Sequence, residues 1–401
     1  MSSKNVLFLG AGASKAYSAS PTGLLMPIAC DFFSTFEKLD IYHDPWVMRD
    51  ALFDFVGRVK NLDPNTFFQN DIDIEDFYTE VEMYLNSHKG DRQIERIFAF
   101  KTYTQLVFIF AAVINTIQNG PLSSPHTLLA KKLASDDLVI TFNWDTLLDR
   151  ALQNLGTWTT DEGYNFFPKS IYRDGWEAPK LSQRAMPKLI KLHGSVNWLS
   201  SHPISPEEAI ELTQESSPDT VWVYESTKSP YACHAGRFID GFEDFSYGYY
   251  PPNILDDKGK SAPDGYLLVR ARPGFISKGN ASSSGLVSIP LIIPPVKEKN
   301  YHGFGVLFDD LWDEAGKGLV SAEHIIIIGY SFPKTDIKSN ELFINAFMKR
   351  TDFPLVTILD PNPERIANKF KMEFGIPDSK LRVIKGYFSD ETDVDYLFAF
   401  K

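Results

Sequence analysis

The sequence predicts an α/β protein with a doubly wound parallel sheet, and three observations predict it. The short apolar run Val6-Leu7-Phe8-Leu9 ends directly in a glycine-rich turn, Gly10-Ala11-Gly12-Ala13-Ser14. The C-terminal third alternates short apolar runs with amphipathic stretches, the pattern of repeated βα units. One of those runs, Ile325-Ile326-Ile327-Ile328, has the unbroken apolarity of a strand buried on both faces. A strand that runs into a glycine-rich turn is the usual opening of a nucleotide-binding domain. Glycine lets the backbone approach a pyrophosphate, and the N-terminus of the next helix favours the anion. The spacing falls short of the full G-x-G-x-x-G, so the turn by itself is a weak signal.

The elements follow in order. Residues 5–9 read as the first strand. Apolar residues at i, i+3 and i+4 then predict helices over 24–36, 45–60, 74–86 and 92–118. This makes 24–120 a helical insertion, closed by Gly120-Pro121. A short helix over 126–134 precedes a strand at 137–142 and a helix at 145–155, with Asp145 in its first turn. A strand at 188–193 stops at Gly194-Ser195. Residues 200–290 are rich in Tyr, Gly, Ser and Pro and read as a second, irregular insertion with short β pieces. A strand at 286–293 is stopped by Pro294-Pro295. The closing units are strand 323–328, helix 337–349, strand 355–359, helix 363–374, strand 381–384 and helix 390–398. The expectation is one domain over 1–401 carrying both insertions.

Composition narrows the function classes. The net charge of −12 argues against broad phosphate-backbone binding, so no direct nucleic-acid contact is expected. The most membrane-like stretch, Val107 to Ile114, is too short to span a bilayer and is flanked by Thr102, Thr104, Gln105 and Asn115; a buried helix is expected and no membrane association. The two cysteines, Cys30 and Cys233, are far apart and form no C-x-x-C, which excludes a zinc ribbon and fits a reducing, cytoplasmic compartment. Cys30 lies in an apolar segment and reads as a core residue. The 31 phenylalanines can build a large aromatic core. The N-terminus opens on a strand and does not read as a signal peptide.

Polar residues cluster at the carboxyl ends of the predicted strands: Gly10 to Ser14, Asn143 with Asp145, His193 to Asn197, Gly329 to Ser331, and Asp360 to Asn362. Open α/β sheets bind ligands there. Each cluster has a plain reading too. Ser14 can be a helix cap, Asn143 and Asp145 can cap the helix that follows them, His193 can be a hydrogen-bonded structural histidine, and Asp360-Pro361-Asn362 can be a turn with an N-cap. Together, one cluster per strand end favours a binding site.

Gly10-Ala11-Gly12-Ala13-Ser14, Thr141-Phe142-Asn143-Trp144-Asp145, Leu192-His193-Gly194-Ser195 and Gly329-Tyr330-Ser331 occur in that order. They resemble the four signature motifs of sirtuins, most closely those of the divergent sirtuin-like proteins of bacterial antiphage defence. The resemblance covers about half the chain, its Rossmann-like core. It implies NAD as substrate. It implies Asn143 at the ribose and the attacking water, Asp145 at the nicotinamide carboxamide, and His193 as general base. It implies the pyrophosphate at Gly10, Ala11, Gly12 and Ser14, the ribose phosphates at Gly329 and Ser331, and the adenosine ribose at Asp360 and Asn362.

The chain departs from protein-deacylating sirtuins. Between the His193 and Gly329 motifs it has Cys233 alone, where they carry a four-cysteine zinc module, so no metal is expected. Without an acyl-lysine groove, water becomes the nucleophile, and the expected activity is that of an NAD glycohydrolase depleting NAD in antiphage defence. A deacylase or ADP-ribosyltransferase, and a non-catalytic NAD or ADP-ribose sensor, are the alternatives. A free NAD hydrolase would poison its host. The chain shows no sensor domain of its own, so a homo-oligomer engaging a separate regulator through residues 24–120 or 200–290 is expected, and the resemblance implies that the regulator is a HerA-type ATPase; the long apolar stretch from Ile94 to Ile117 can equally serve only to cover the core.

Overall fold

The computed structural model describes residues 4–43, 49–70, 72–88, 93–173, 176–182, 184–203, 221–225, 285–295, 305–333 and 336–399, with short pieces at 233–234, 237–238, 267–268, 271–272 and 275–276. Its centre is a six-stranded sheet in which every neighbouring pair is parallel. The order across it is Leu381–Lys385, Leu355–Asp360, His324–Ile328, Asn5–Leu9, Leu138–Thr141 and Lys188–Lys191. All six strands expected for it are present, and the two central ones are buried along their whole length. Chain order reverses direction at Asn5–Leu9, with later strands on both sides, so a crevice opens at the carboxyl ends beside that strand.

Helices cover the sheet. The helices Leu147–Asn154, Ile337–Met348, Pro363–Met372 and Val394–Phe398 lie where amphipathic stretches predict them, though the last is shorter. The helix Ser124–Ala130 is likewise shorter than expected, and Val306–Ser321 is a helix that the sequence reading passed over. Phe332, Phe343, Phe347, Phe370 and Phe374 form one packed aromatic group between sheet and helices.

The 24–118 stretch is helical in part. The helices Ile74–Ser87 and Gln93–Gln118 agree with expectation. The helix expected over 24–36 forms only at Phe32–Glu37. Pro27 disfavours helix in the residue before it, and the Asp31 carboxylate accepts the Ile28 N–H at 2.5 Å, which closes a turn instead. Cys30 sits on that turn and is exposed, so the expectation of a core cysteine is wrong. The helix expected over 45–60 is Asp50–Asp54 continued by a π-helical turn, Phe55–Val59; part of that range lies outside the described residues.

This block has its own core, built around Phe32, Phe33, Phe36, Phe55, Phe77 and Phe110. The helix Gln93–Gln118 packs inside this block: its buried Gln105 accepts the Ala51 N–H at 2.9 Å and donates to Asp50, and its buried Gln118 donates to Asn115. Among the described residues no helix is long and apolar enough to cross a membrane.

A second six-stranded sheet was not expected. It contains Leu267–Leu268, Gly285–Ile292, Gly194–Pro203, Val221–Tyr224, Ser170–Tyr172 and Trp176–Glu177, in that order. The strand expected at 286–293 therefore belongs here and runs antiparallel to Gly194–Pro203. Of the 200–290 stretch read as irregular, the described pieces are strands and the rest lies outside the described residues. Gly194 makes the switch from one sheet to the other. Its φ is +75°, and a Cβ there would stand 2.1 Å from the Leu291 carbonyl oxygen.

Two buried histidines tie stability to pH. His126 shares a 2.7 Å hydrogen bond with Ser123, and His324 a 2.8 Å one with Thr357. Burial holds both at about 4, with the Asp145 charge opposing the shift at His126 and the Arg382 charge adding to it at His324. The unfolded chain takes up these protons first, near pH 6.5. Stability should thus be complete above that pH and fall as pH drops toward 4, each histidine adding a slope of at most about 1.4 kcal/mol per pH unit. Urea unfolding between pH 7.5 and 4.5 checks this; an unchanged midpoint across the window would contradict it.

Candidate active site

Two glycine turns meet at the crevice. The Gly10 N–H donates to the Ile328 carbonyl at 3.1 Å, and the Gly12 N–H to the Gly329 carbonyl at 3.0 Å. A Cβ on Gly10 would lie 2.5 Å from the Gly329 oxygen, and one on Gly329 would lie 2.6 Å from the Ala13 nitrogen. The glycines therefore serve first to let the turns after two adjacent strands touch. The helix that follows is a single turn, Ala11–Ser14, and its Gly12 and Ala13 N–H groups are engaged within the protein. The sequence reading, which gave those groups to an anion, missed this.

Asp145 lies before the helix Leu147–Asn154 rather than in its first turn, a correction to the expectation. Its carboxylate accepts the Ser14 hydroxyl at 2.5 Å and the Leu147 N–H at 3.1 Å. Ser14 and Asp145, far apart in the chain, thus form one buried pair, and Ser14, the last residue of Ala11–Ser14, does not cap that helix. Asn143 extends the arrangement: its Nδ2 donates to the Gly10 carbonyl at 2.7 Å, and its N–H to Thr141 Oγ1 at 3.0 Å. The residues on either side of Asn143 pack on the His193 ring, Phe142 at 4.6 Å and Trp144 at 5.7 Å between centroids. His193 is 2% exposed, yet it lines the cavity described next.

The candidate site residues Gly10, Ala11, Gly12, Ser14, Asn143, Asp145, His193, Gly329, Ser331, Asp360 and Asn362 all line one cavity of about 690 Å³, whereas Ser195 and Asn197 of the His193 cluster do not. At the Asp360 end the carboxylate accepts the Asn362 N–H at 2.8 Å, and Arg365 donates to the Ser331 carbonyl at 2.7 Å. Another wall comes from the helical block, through Met26, Ile28, Phe32, Ile74, Phe110 and Ile114. The sequence reading missed this wall, because nothing in a 3.6-residue period says which sheet edge a helix will face. It also missed Lys15, Trp144 and Arg365; Trp144 and Lys15 sit beside or inside a quoted motif, which was the available signal. Among the described residues no group of three or more His, Cys, Asp or Glu is arranged to hold a metal ion.

A cavity of this size, lined by glycine turns and by apolar side chains, can hold a dinucleotide-sized ligand. No protein-family model matches the chain, and no curated protein does. Among solved structures it is similar to a crystal structure of Sir2 in complex with the inhibitor EX-527, 2′-O-acetyl-ADP-ribose and a deacetylated p53 peptide. That similarity spans 98% of this chain and 90% of the other, at 16% identity and a TM-score of 0.29. The fold class rests on the strand order and its parallel pairing.

Proposed function

We propose that this protein is an NAD glycohydrolase, cleaving the bond between nicotinamide and ribose to release nicotinamide and ADP-ribose. One observation carries the reading: residues of four sirtuin-like motifs, scattered from Gly10 to Ser331, line a single cavity at the carboxyl ends of the parallel strands. The nicotinamide–C1′ bond breaks, nicotinamide leaves with the bonding pair, and positive charge develops on the ribose. A water oxygen forms the new bond to C1′ and gives up a proton. Asn143, its amide fixed by the Gly10 carbonyl, orients that water. His193, held between Phe142 and Trp144, takes the proton. Asp145, fixed by Ser14, stands at the nicotinamide end, and Asp360 with Asn362 at the adenosine end.

The same reading makes the protein an NAD-depleting effector in antiphage defence. It would be a homo-oligomer, restrained or triggered by a separate protein such as a HerA-type ATPase. Incubation of the purified chain with NAD, alone and with a candidate ATPase partner, should yield nicotinamide and ADP-ribose in equal amounts. Intact NAD in both mixtures overturns the reading, and faster removal of an acyl group from a lysine peptide replaces it with a deacylase. Light scattering tests the oligomer; a monomer fully active alone at micromolar concentration would remove both oligomer and partner.

A further inference from the structure

We infer that Lys191 is a positioning residue, whose ammonium locks the Asn143–Asp145 loop to the strand that delivers His193. What it positions rests on the active-site reading above; the lock itself does not. Lys191 ends the strand Lys188–Lys191, two residues before His193, and is 1% exposed. Its Nζ donates to the Asp145 backbone carbonyl at 2.5 Å and lies 3.5 Å from Asp149 Oδ2 on the helix behind the loop. Tyr164 donates its hydroxyl to the other Asp149 oxygen at 2.5 Å, and Asn197 donates to Tyr164 at 3.2 Å. All of these side chains are buried.

Core stability gives no reason for this arrangement. Burying an ammonium and a carboxylate commonly costs as much desolvation as their attraction returns, and a packed apolar pair of the same volume serves a core as well or better. Burial raises the Asp149 pKa, with the Lys191 charge only opposing it. An apolar residue could not supply a donor to the Asp145 carbonyl. The loop needs one, because residues 142–146 belong to neither helix nor strand. The neighbouring Trp144 carbonyl is likewise held from beyond His193, by the Val196 N–H at 3.0 Å. The loop is thus gripped on consecutive carbonyls by residues on both sides of His193, so Asp145 and His193 keep a fixed separation.

The test replaces the pair together, Lys191→Met with Asp149→Asn, so that no buried charge is left alone and Tyr164 keeps an acceptor. Hydrogen exchange of the 142–147 amides is read alongside the thermal midpoint and, on NAD, kcat and KM. The expected result is faster exchange confined to that segment, near-wild-type folding, and kcat lower by about 10²-fold with KM little changed, the scale of a misplaced reacting group. Wild-type protection of 142–147 in the folded variant overturns the inference. If the wild-type chain does not consume NAD, the functional reading fails while the exchange result still decides the lock. If the double variant does not fold, Lys191→Met alone carries the same readouts, since burial raises the Asp149 pKa and loss of the opposing Lys191 charge raises it further. Failure of both to fold also overturns the inference, because the lysine would then hold the whole core and not the loop.

Discussion

His193→Ala is expected to cut nicotinamide release by about 10²–10⁴-fold, the range that a general base contributes. The ring touches the site through Phe142 and Trp144 and lines the cavity, while its removal takes little from the sheet, whose last hydrogen-bonded register position on that strand is Lys191. Asn143→Ala should fall as far or further, since its amide both orients the water and braces the Gly10 carbonyl. Each variant needs an unchanged thermal midpoint to be informative. The two effects should not add, because base and water act on one proton transfer. Near-wild-type turnover in a folded His193→Ala would remove the histidine from the chemistry and leave it a packing group between two aromatic rings.

Gly329→Ala is expected to be strongly destabilising and to disrupt the cavity. The residue has φ +60°, a conformation that costs an alanine about 1–2 kcal/mol. The added Cβ would also meet Ala13 N and Gly12 C at 2.6 Å, both backbone atoms that cannot swing aside. Relief requires the two glycine turns to part, which breaks the hydrogen bond from Gly12 to the Gly329 carbonyl and opens the floor of the cavity. Gly156→Ala is the control. It has φ +64° with nothing within 4 Å of its would-be Cβ, so it bears the backbone cost alone. Urea unfolding should show Gly329→Ala clearly less stable than Gly156→Ala. Equal losses would mean that the close approach of the turns does not matter.

Much of the parallel sheet was legible in the sequence, for a local reason. A strand buried on both faces must be apolar at every position, and Val6 to Leu9 and Ile325 to Ile328 have that pattern whatever they pack against. The polar residues that end those strands were legible with them, since the carboxyl end of a parallel strand is a position defined by the strand itself. Residues 24–31 show the limit of the same reading. Their apolar spacing suits a helix, yet Pro27 and the bond from Ile28 to Asp31 make a turn, and Cys30 emerges on the surface. Periodicity counts side chains and is blind to a single competing hydrogen bond.

By itself, then, the sequence determined which segments become buried parallel strands and which residues stand at their ends, because both follow from solvation of a strand over a few residues. Only the tertiary structure decided that Ser14 meets Asp145, that Gly10 and Gly12 lie against Gly329, that a helical block walls the cavity, and that the chain leaves His193 through Gly194 into a second sheet. Each of those joins residues far apart in the chain. Such contacts form where loop closure is repaid by burial and hydrogen bonding in the assembled core, a balance that no local stretch of sequence contains.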